Sequence, residues 1–183
     1  MIKFLDVLKD KNYLFRKISN LSTCKKFIII FLILFFNWTA ISVGLNIPKM
    51  QWSGFSSFFP TFLNLFLEFL LRSLLVYFFS KALKGKGNFS NTILGLGVAQ
   101  FPLLLIWIPT VVYFTVMLFP VLWFNGIIIM LSIMLIFLIF LYLLSLDYSI
   151  SIIKTVHLFS RGKAFGIIII SIIIAGCINT ILF

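Results

Sequence analysis

Long apolar runs, cut at intervals by short basic or polar stretches, set the pattern of this chain. A helix needs about 20 mainly apolar residues to cross the hydrocarbon layer of a bilayer. Five stretches qualify: residues 27–46, 58–80, 92–118, 122–146 and 164–183. The third and fourth come from one apolar tract, 92–145, interrupted at PVLWFNG, residues 120–126. At about 1.5 Å of rise per residue that tract is far too long for a single crossing. The pattern predicts an all-α integral membrane protein with five transmembrane helices. Residues 1–21 differ. There Phe4, Leu5, Leu8, Phe15 and Ile18 recur near helical spacing among charges, as expected of an amphipathic helix in the headgroup layer. Residues 148–161 space Ile152, Ile153, Val156 and Phe159 similarly around Lys154, His157 and Arg161. That fits either a second interfacial helix or an inner extension of a membrane helix.

Composition removes the soluble alternatives. The chain is 62% hydrophobic and 10% charged, against about 45–50% and 25% in an ordinary soluble domain. A chain of 183 residues cannot hide that excess in one core, because a small domain leaves much of its area in contact with solvent. A soluble enzyme, a nucleic-acid binder and a disordered chain are all poor fits.

The net charge of +11 acquires meaning from its placement. Residues 1–26 hold seven basic groups, 81–91 hold Lys81, Lys84 and Lys86, and 147–163 hold Lys154, Arg161 and Lys163. Thirteen of the fifteen basic residues therefore share one side of a five-span protein, against Lys49 alone in the 47–57 loop. This asymmetry predicts a cytoplasmic N-terminus and an outer C-terminus. It divides the chain into a basic cytoplasmic segment, 1–26, and a membrane domain, 27–183, of a multi-pass protein in the cell membrane. The expected partners are membrane lipids, with anionic headgroups at the inner face, and another membrane protein or a second copy. Nucleic acid is not expected.

Catalytic signals are sparse. The sole histidine, His157, has no nucleophile and orienting acid at a telling spacing, and is expected to face solvent or headgroups. The cysteines, Cys24 and Cys177, fall toward opposite faces, so no disulfide is expected. No metal or cofactor site is expected, and the KGKG stretch at 84–87 lacks the frame of a phosphate loop. The first apolar run starts late and no compact cleavage site follows it, so no cleaved signal peptide is expected. The chain reads as non-enzymatic.

The polar residues inside the spans are the candidate chemistry. Glu68 and Arg72 sit four apart in the second span, on one helix face and in the favourable order. Charges at this depth are costly and usually face a bundle interior or cavity. They form either an ion or solute site, or a neutralised pair with Arg72 reaching toward the cytoplasm. Asn64 and Gln100 complete a candidate intramembrane polar site, and Asn37 and Asn179 are amides suited to bonding between helices. Gly97, Pro102 and Pro109 mark a kink in the third span, as hinge or as packing. Gly162 and Gly166 form a G-x-x-x-G for close helix approach, within the chain or in a dimer. Trp38, Trp52 and Trp123 are expected as interface anchors, and Trp107 as a packed residue.

Two stretches resemble the Yip1-domain family of membrane proteins. In KALKGKGNFSNTILGLGVAQFPLLL, residues 81–105, Gly85, Gly87 and Phe89 match that family's basic Gly-rich turn, and Gly97, Ala99 and Pro102 match the helix that follows. In YSISIIKTVHLFSRGKAFG, residues 148–166, Ser160, Lys163 and Ala164 match a further element. The likeness runs from about residue 58 to 183, whereas FRKISNLSTCKKF lacks the proline usual before the family's first span. The resemblance implies five spans with a cytoplasmic N-terminus. In eukaryotic relatives it implies vesicle trafficking with small GTPases. Richness in Ile, Phe, Lys and Asn and a short N-terminal region point to a prokaryotic member, whose relatives look like accessories to exporters or to envelope stress. The expected function is a non-enzymatic membrane scaffold or accessory protein. The alternative is a small permease or channel using Glu68, Arg72 and the proline-kinked third span.

Overall fold

The structure, a computed structural model, describes residues 10, 12–46, 54–118 and 124–182, with side chains for 10, 12–41, 60–112 and 132–181. Phe4, Leu5, Leu8, Lys49, Trp52 and Trp123 lie outside the described residues. The chain is all α. Its helices are α1 (Tyr13–Ser19), α2 (Thr23–Asn46), α3 (Gly54–Ala82), α4 (Phe89–Ala99), a 3-10 segment (Phe101–Ile106), α5 (Trp107–Leu118), α6 (Phe124–His157) and α7 (Arg161–Leu182). Five stretches are long and apolar enough to span: Thr23–Ile41, Pro60–Ala82, Phe89–Val112, Ser132–His157 and Arg161–Ile181. Their outward faces carry large bare apolar side chains, including Phe78, Ile136, Leu143 and Ile173. Water would not tolerate such a belt and lipid requires it. This is a multi-pass membrane protein.

Three boundaries differ from the sequence expectation, each for a local reason. The third span is not one kinked helix over 92–118 but two α-helices joined by 3-10 turns. Pro102 sits in the first turn of the 3-10 segment, where its missing N–H costs little. Pro109 is the third residue of α5, again in a first turn. It fits the start of a helix and does not bend the middle of one. The fourth span does not end near 146. It continues unbroken to His157, so residues 148–157 extend a membrane helix and are not a separate interfacial helix. The broad loop expected at 147–163 shrinks to residues 158–160.

Both tight turns at this end close in the same way. The Gly85 N–H donates to the Ser80 carbonyl at 2.8 Å and the Phe159 N–H to the Lys154 carbonyl at 3.0 Å. Lys84 (φ 64°) and Leu158 (φ 56°) take the left-handed conformation between. These are Schellman closures carrying non-glycine residues. α1 docks on α4 and buries Leu14, Phe15 and Ile18, so its apolar stripe is committed to the bundle. At this same end lie the start of α2, the 83–88 turn and the 158–160 turn, and every described Lys and Arg except Arg72.

The helices pack in a ring. α3 contacts α4 and α7, and α6 contacts α4 and α7, while α2 lies against α3, α4 and the 3-10 segment. The main core runs from the basic end to the break in the third span, and within it Val98, Ala99, Ile152, Ile153 and Ile168 are sealed from solvent.

Candidate functional site

The break in the third span brings the candidate site together. A 3-10 segment after α4 frees backbone carbonyls that have no water to turn to at membrane depth. Side chains of two neighbouring helices take them up. The Ser145 hydroxyl of α6 donates to the Ala99 carbonyl at 3.0 Å. The Asn37 amide of α2 donates to the Gln100 carbonyl at 2.9 Å. Asn37 is thus an interhelical bond, as its position in an apolar run indicated. Gln100 itself sits at the break, where no helix neighbour claims its side chain.

A cavity of about 480 Å³ opens beside the break. Glu68 and Arg72 of α3 line one wall, Gln100 the break, and Tyr142, Ser145 and Ser149 of α6 the opposite wall. Trp38 and Ile172 close it from α2 and α7. Three of the four expected polar residues converge here. Asn64 is not part of the lining, and its buried Oδ1 lacks a hydrogen-bond partner among the described residues. Arg72 lies ten residues before the end of α3, roughly 15 Å along the helix, and Glu68 one turn deeper. That is mid-bilayer, since the hydrocarbon layer is about 30 Å thick.

Glu68 and Arg72 share a face of α3 yet do not form an ion pair with each other. Among the described residues the Glu68 carboxylate and the Gln100 side-chain amide accept or donate no hydrogen bond. The buried Arg72 Nε is likewise without a partner. The serine hydroxyls are satisfied, Ser149 by the Ser145 carbonyl at 2.9 Å and Ser145 by Ala99. The cavity therefore presents a carboxyl, a guanidinium and an amide to whatever occupies it, with the Tyr142 phenol and two serines among mainly apolar neighbours.

Trp38 is not an interface anchor. It is 4% exposed and is held edge-on by Phe62 and Phe66, with Phe69 beside them. Trp107 is partly buried, and its indole N–H donates to the Phe36 carbonyl at 3.0 Å.

His157 does not face headgroups. It is 1% exposed, its Nε2 lies 2.9 Å from the Thr92 hydroxyl, and its ring stacks on Phe159. The single Thr92 hydroxyl hydrogen goes to the Asn88 carbonyl at 2.9 Å. The imidazole Nε2–H must then be the donor to Thr92, which leaves Nδ1 as a bare acceptor. Gly85 and Gly87 press against this ring. A Cβ at Gly85 would lie 2.7 Å from Nδ1, and one at Gly87 2.6 Å from Val156. The same holds deeper in the bundle, with 2.6 Å between a Cβ at Gly95 and Ile152, and 2.5 Å between one at Gly97 and Ile30. Gly97 is thus a packing glycine. Gly162 and Gly166 are not: a Cβ at either meets nothing within 4 Å, so neither makes a close approach to the described parts of this chain.

No family model matches the chain, nor does a curated protein or a solved structure.

Proposed function

We propose that this protein binds a small polar or amphiphilic solute in the cavity around Glu68, Arg72 and Gln100 and moves it within or across the bilayer, as a small permease. The observation that carries this reading is the convergence of three unpartnered polar groups on one cavity at membrane depth. Uncompensated charge there is expensive, and a lock between Glu68 and Arg72 would be expected to pair them. A discontinuous helix beside a midplane cavity is the arrangement found in many transporters. The reading is non-enzymatic, and the satisfied hydroxyls of Ser145 and Ser149 support it. The basic end faces the cytoplasm on this reading. The likeness to the Yip1-domain family enters as part of the proposal and rests on the residues of 81–105 and 148–166 that match it.

A second reading, a scaffold or accessory protein that holds another membrane protein, draws on Gly162 and Gly166, which leave the α7 surface open to close approach. Proteoliposomes separate the two. Solute uptake that Glu68→Gln and Arg72→Gln each abolish supports a permease. No flux over a broad panel of amino acids, peptides, sugars and ions, from protein shown to be inserted, leaves the scaffold. In right-side-out vesicles derived from cells, an impermeant maleimide reports topology through Cys24, which is exposed at the basic end, once the other exposed cysteine is removed by Cys177→Ser. Labelling of that variant from outside would overturn the cytoplasmic assignment.

A further inference from the structure

We infer that the cavity selects a zwitterion, a molecule carrying a cationic and an anionic group a few ångströms apart, with the headgroup of a zwitterionic lipid as one source. This rests on the solute-binding reading above and goes beyond it by naming the ligand chemistry.

Residues four apart on a helix sit about 5–6 Å apart at Cβ, so Glu68 and Arg72 offer opposite charges at neighbouring points of one wall. Neither forms an ion pair or a hydrogen bond with the other or with another described side chain. A purely anionic ligand on Arg72 would stand beside the Glu68 carboxylate, and a purely cationic one on Glu68 would stand beside the Arg72 guanidinium. In a low-dielectric wall each arrangement leaves one charge uncompensated and repelled. A ligand with both charges satisfies both residues at once. Arg72 suits the anionic end, since a guanidinium grips carboxylate or phosphate oxygens in a fork. The Gln100 amide, which both donates and accepts, completes the polar contacts.

Size and access narrow the class further. About 480 Å³ falls within the usual range for small-ligand pockets, roughly 300–1,000 Å³. It accommodates an amino-acid-sized zwitterion or a phospholipid headgroup, but not a whole phospholipid. Ile139, Tyr142 and Leu143 line the cavity and are also at least half exposed on the outer surface of α6. The wall is therefore shared with the bilayer, and acyl chains attached to a bound headgroup have lipid to lie in.

The test uses the purified full chain in detergent, titrated with phosphatidylethanolamine, with phosphatidylglycerol of the same chains and with water-soluble glycerophosphoethanolamine, binding being read by native mass spectrometry. The zwitterionic lipid should bind at least about ten-fold more tightly than the anionic one, the scale of one hydrogen bond to a charged group. Glu68→Gln should erase that preference, and Arg72→Gln should weaken both lipids. Binding of glycerophosphoethanolamine comparable to the lipid identifies a free solute as the ligand source, and binding that needs the acyl chains identifies the lipid. Equal or tighter binding of phosphatidylglycerol by the wild type, or an unchanged preference in Glu68→Gln, overturns the inference. Ser149→Phe, which fills the cavity from α6, and Leu65→Trp, which fills it from α3, separate the two levels of the argument. Binding that either variant blocks but that shows no zwitterion preference sinks this inference alone. Absence of binding by every probe and by the solute panel, or binding that neither variant disturbs, sinks the cavity-binding reading with it.

Discussion

Two regions of the bundle treat their polar groups in opposite ways. At the basic end, Asn88, Thr92 and His157 form a short chain of hydrogen bonds, and glycines press the surrounding backbone to within contact of the imidazole. One atom of the ring, Nδ1, is left bare. Halfway along the bundle, a carboxylate, a guanidinium and an amide line a cavity and bond to no described side chain. Close packing with satisfied polar groups holds helices together. Open space with unsatisfied charge destabilises a bundle unless it serves binding. The difference therefore predicts which substitutions unfold the protein and which change only what it binds.

The largest effect is expected where a glycine leaves no room for a Cβ. Gly95→Val adds a branched side chain where even a Cβ would be 2.6 Å from Ile152 Cγ2, and that atom belongs to a stiff β-branched residue. Overpacking of this kind typically costs about 1–3 kcal/mol and sometimes more. The variant should show a large loss of melting temperature in detergent. Gly166→Ala, with nothing near its added Cβ, should hold or slightly raise it. Equal sensitivity at both positions would break the contrast between a packed end and an open α7 face.

A middle-sized effect is expected from Thr92→Val, which keeps the shape but removes the acceptor for the His157 Nε2–H. A buried donor left unpaired costs about 1–3 kcal/mol. Thr92→Ser keeps the hydroxyl and should retain most of the lost stability. If Thr92→Val melts like the wild type, the hydrogen bond contributes nothing and the basic end is held by packing alone.

The spans were legible in the sequence because membrane crossing needs only length and apolarity, and runs such as 27–46 and 164–183 supply both. The polar residues of the site were legible for the complementary reason, since Glu68, Arg72 and Gln100 are out of place in apolar runs. Their convergence was not, because it depends on which helices neighbour which, and no spacing along one chain encodes that. The break after Ala99 was half visible: Pro102 and Pro109 announced a disturbance, but only the Ser145 and Asn37 bonds show how its carbonyls are satisfied. Within this chain the packing glycines lie outside the G-x-x-x-G. G-x-x-x-G drew attention to Gly162 and Gly166, whereas the close approaches are made by Gly85, Gly87, Gly95 and Gly97. The available signal was their clustering within 85–97, beside a span rich in bulky Ile and Leu. His157 misled because a charged neighbourhood in sequence, Lys154 and Arg161, says nothing about which way a helix face points.

The smallest expected effect is the most informative about the cavity. Glu68→Gln keeps the shape of the side chain and removes its charge. If Glu68 and Arg72 were a structural lock, breaking it would strand the Arg72 cation and cost about 3–5 kcal/mol, as for other buried pairs that lose one partner. In this arrangement the carboxylate has no hydrogen bond or close ion pair to lose. Removing an uncompensated charge from membrane depth should therefore leave the melting temperature unchanged or raise it, while the binding preference changes. Thermal unfolding of wild type and Glu68→Gln in the same detergent, with bound lipid stripped from both, measures this directly. A drop as large as that of Gly95→Val would move Glu68 into the packed class and close the comparison against a site. An unchanged melting temperature together with altered binding keeps the two regions apart, one serving the fold and the other the ligand.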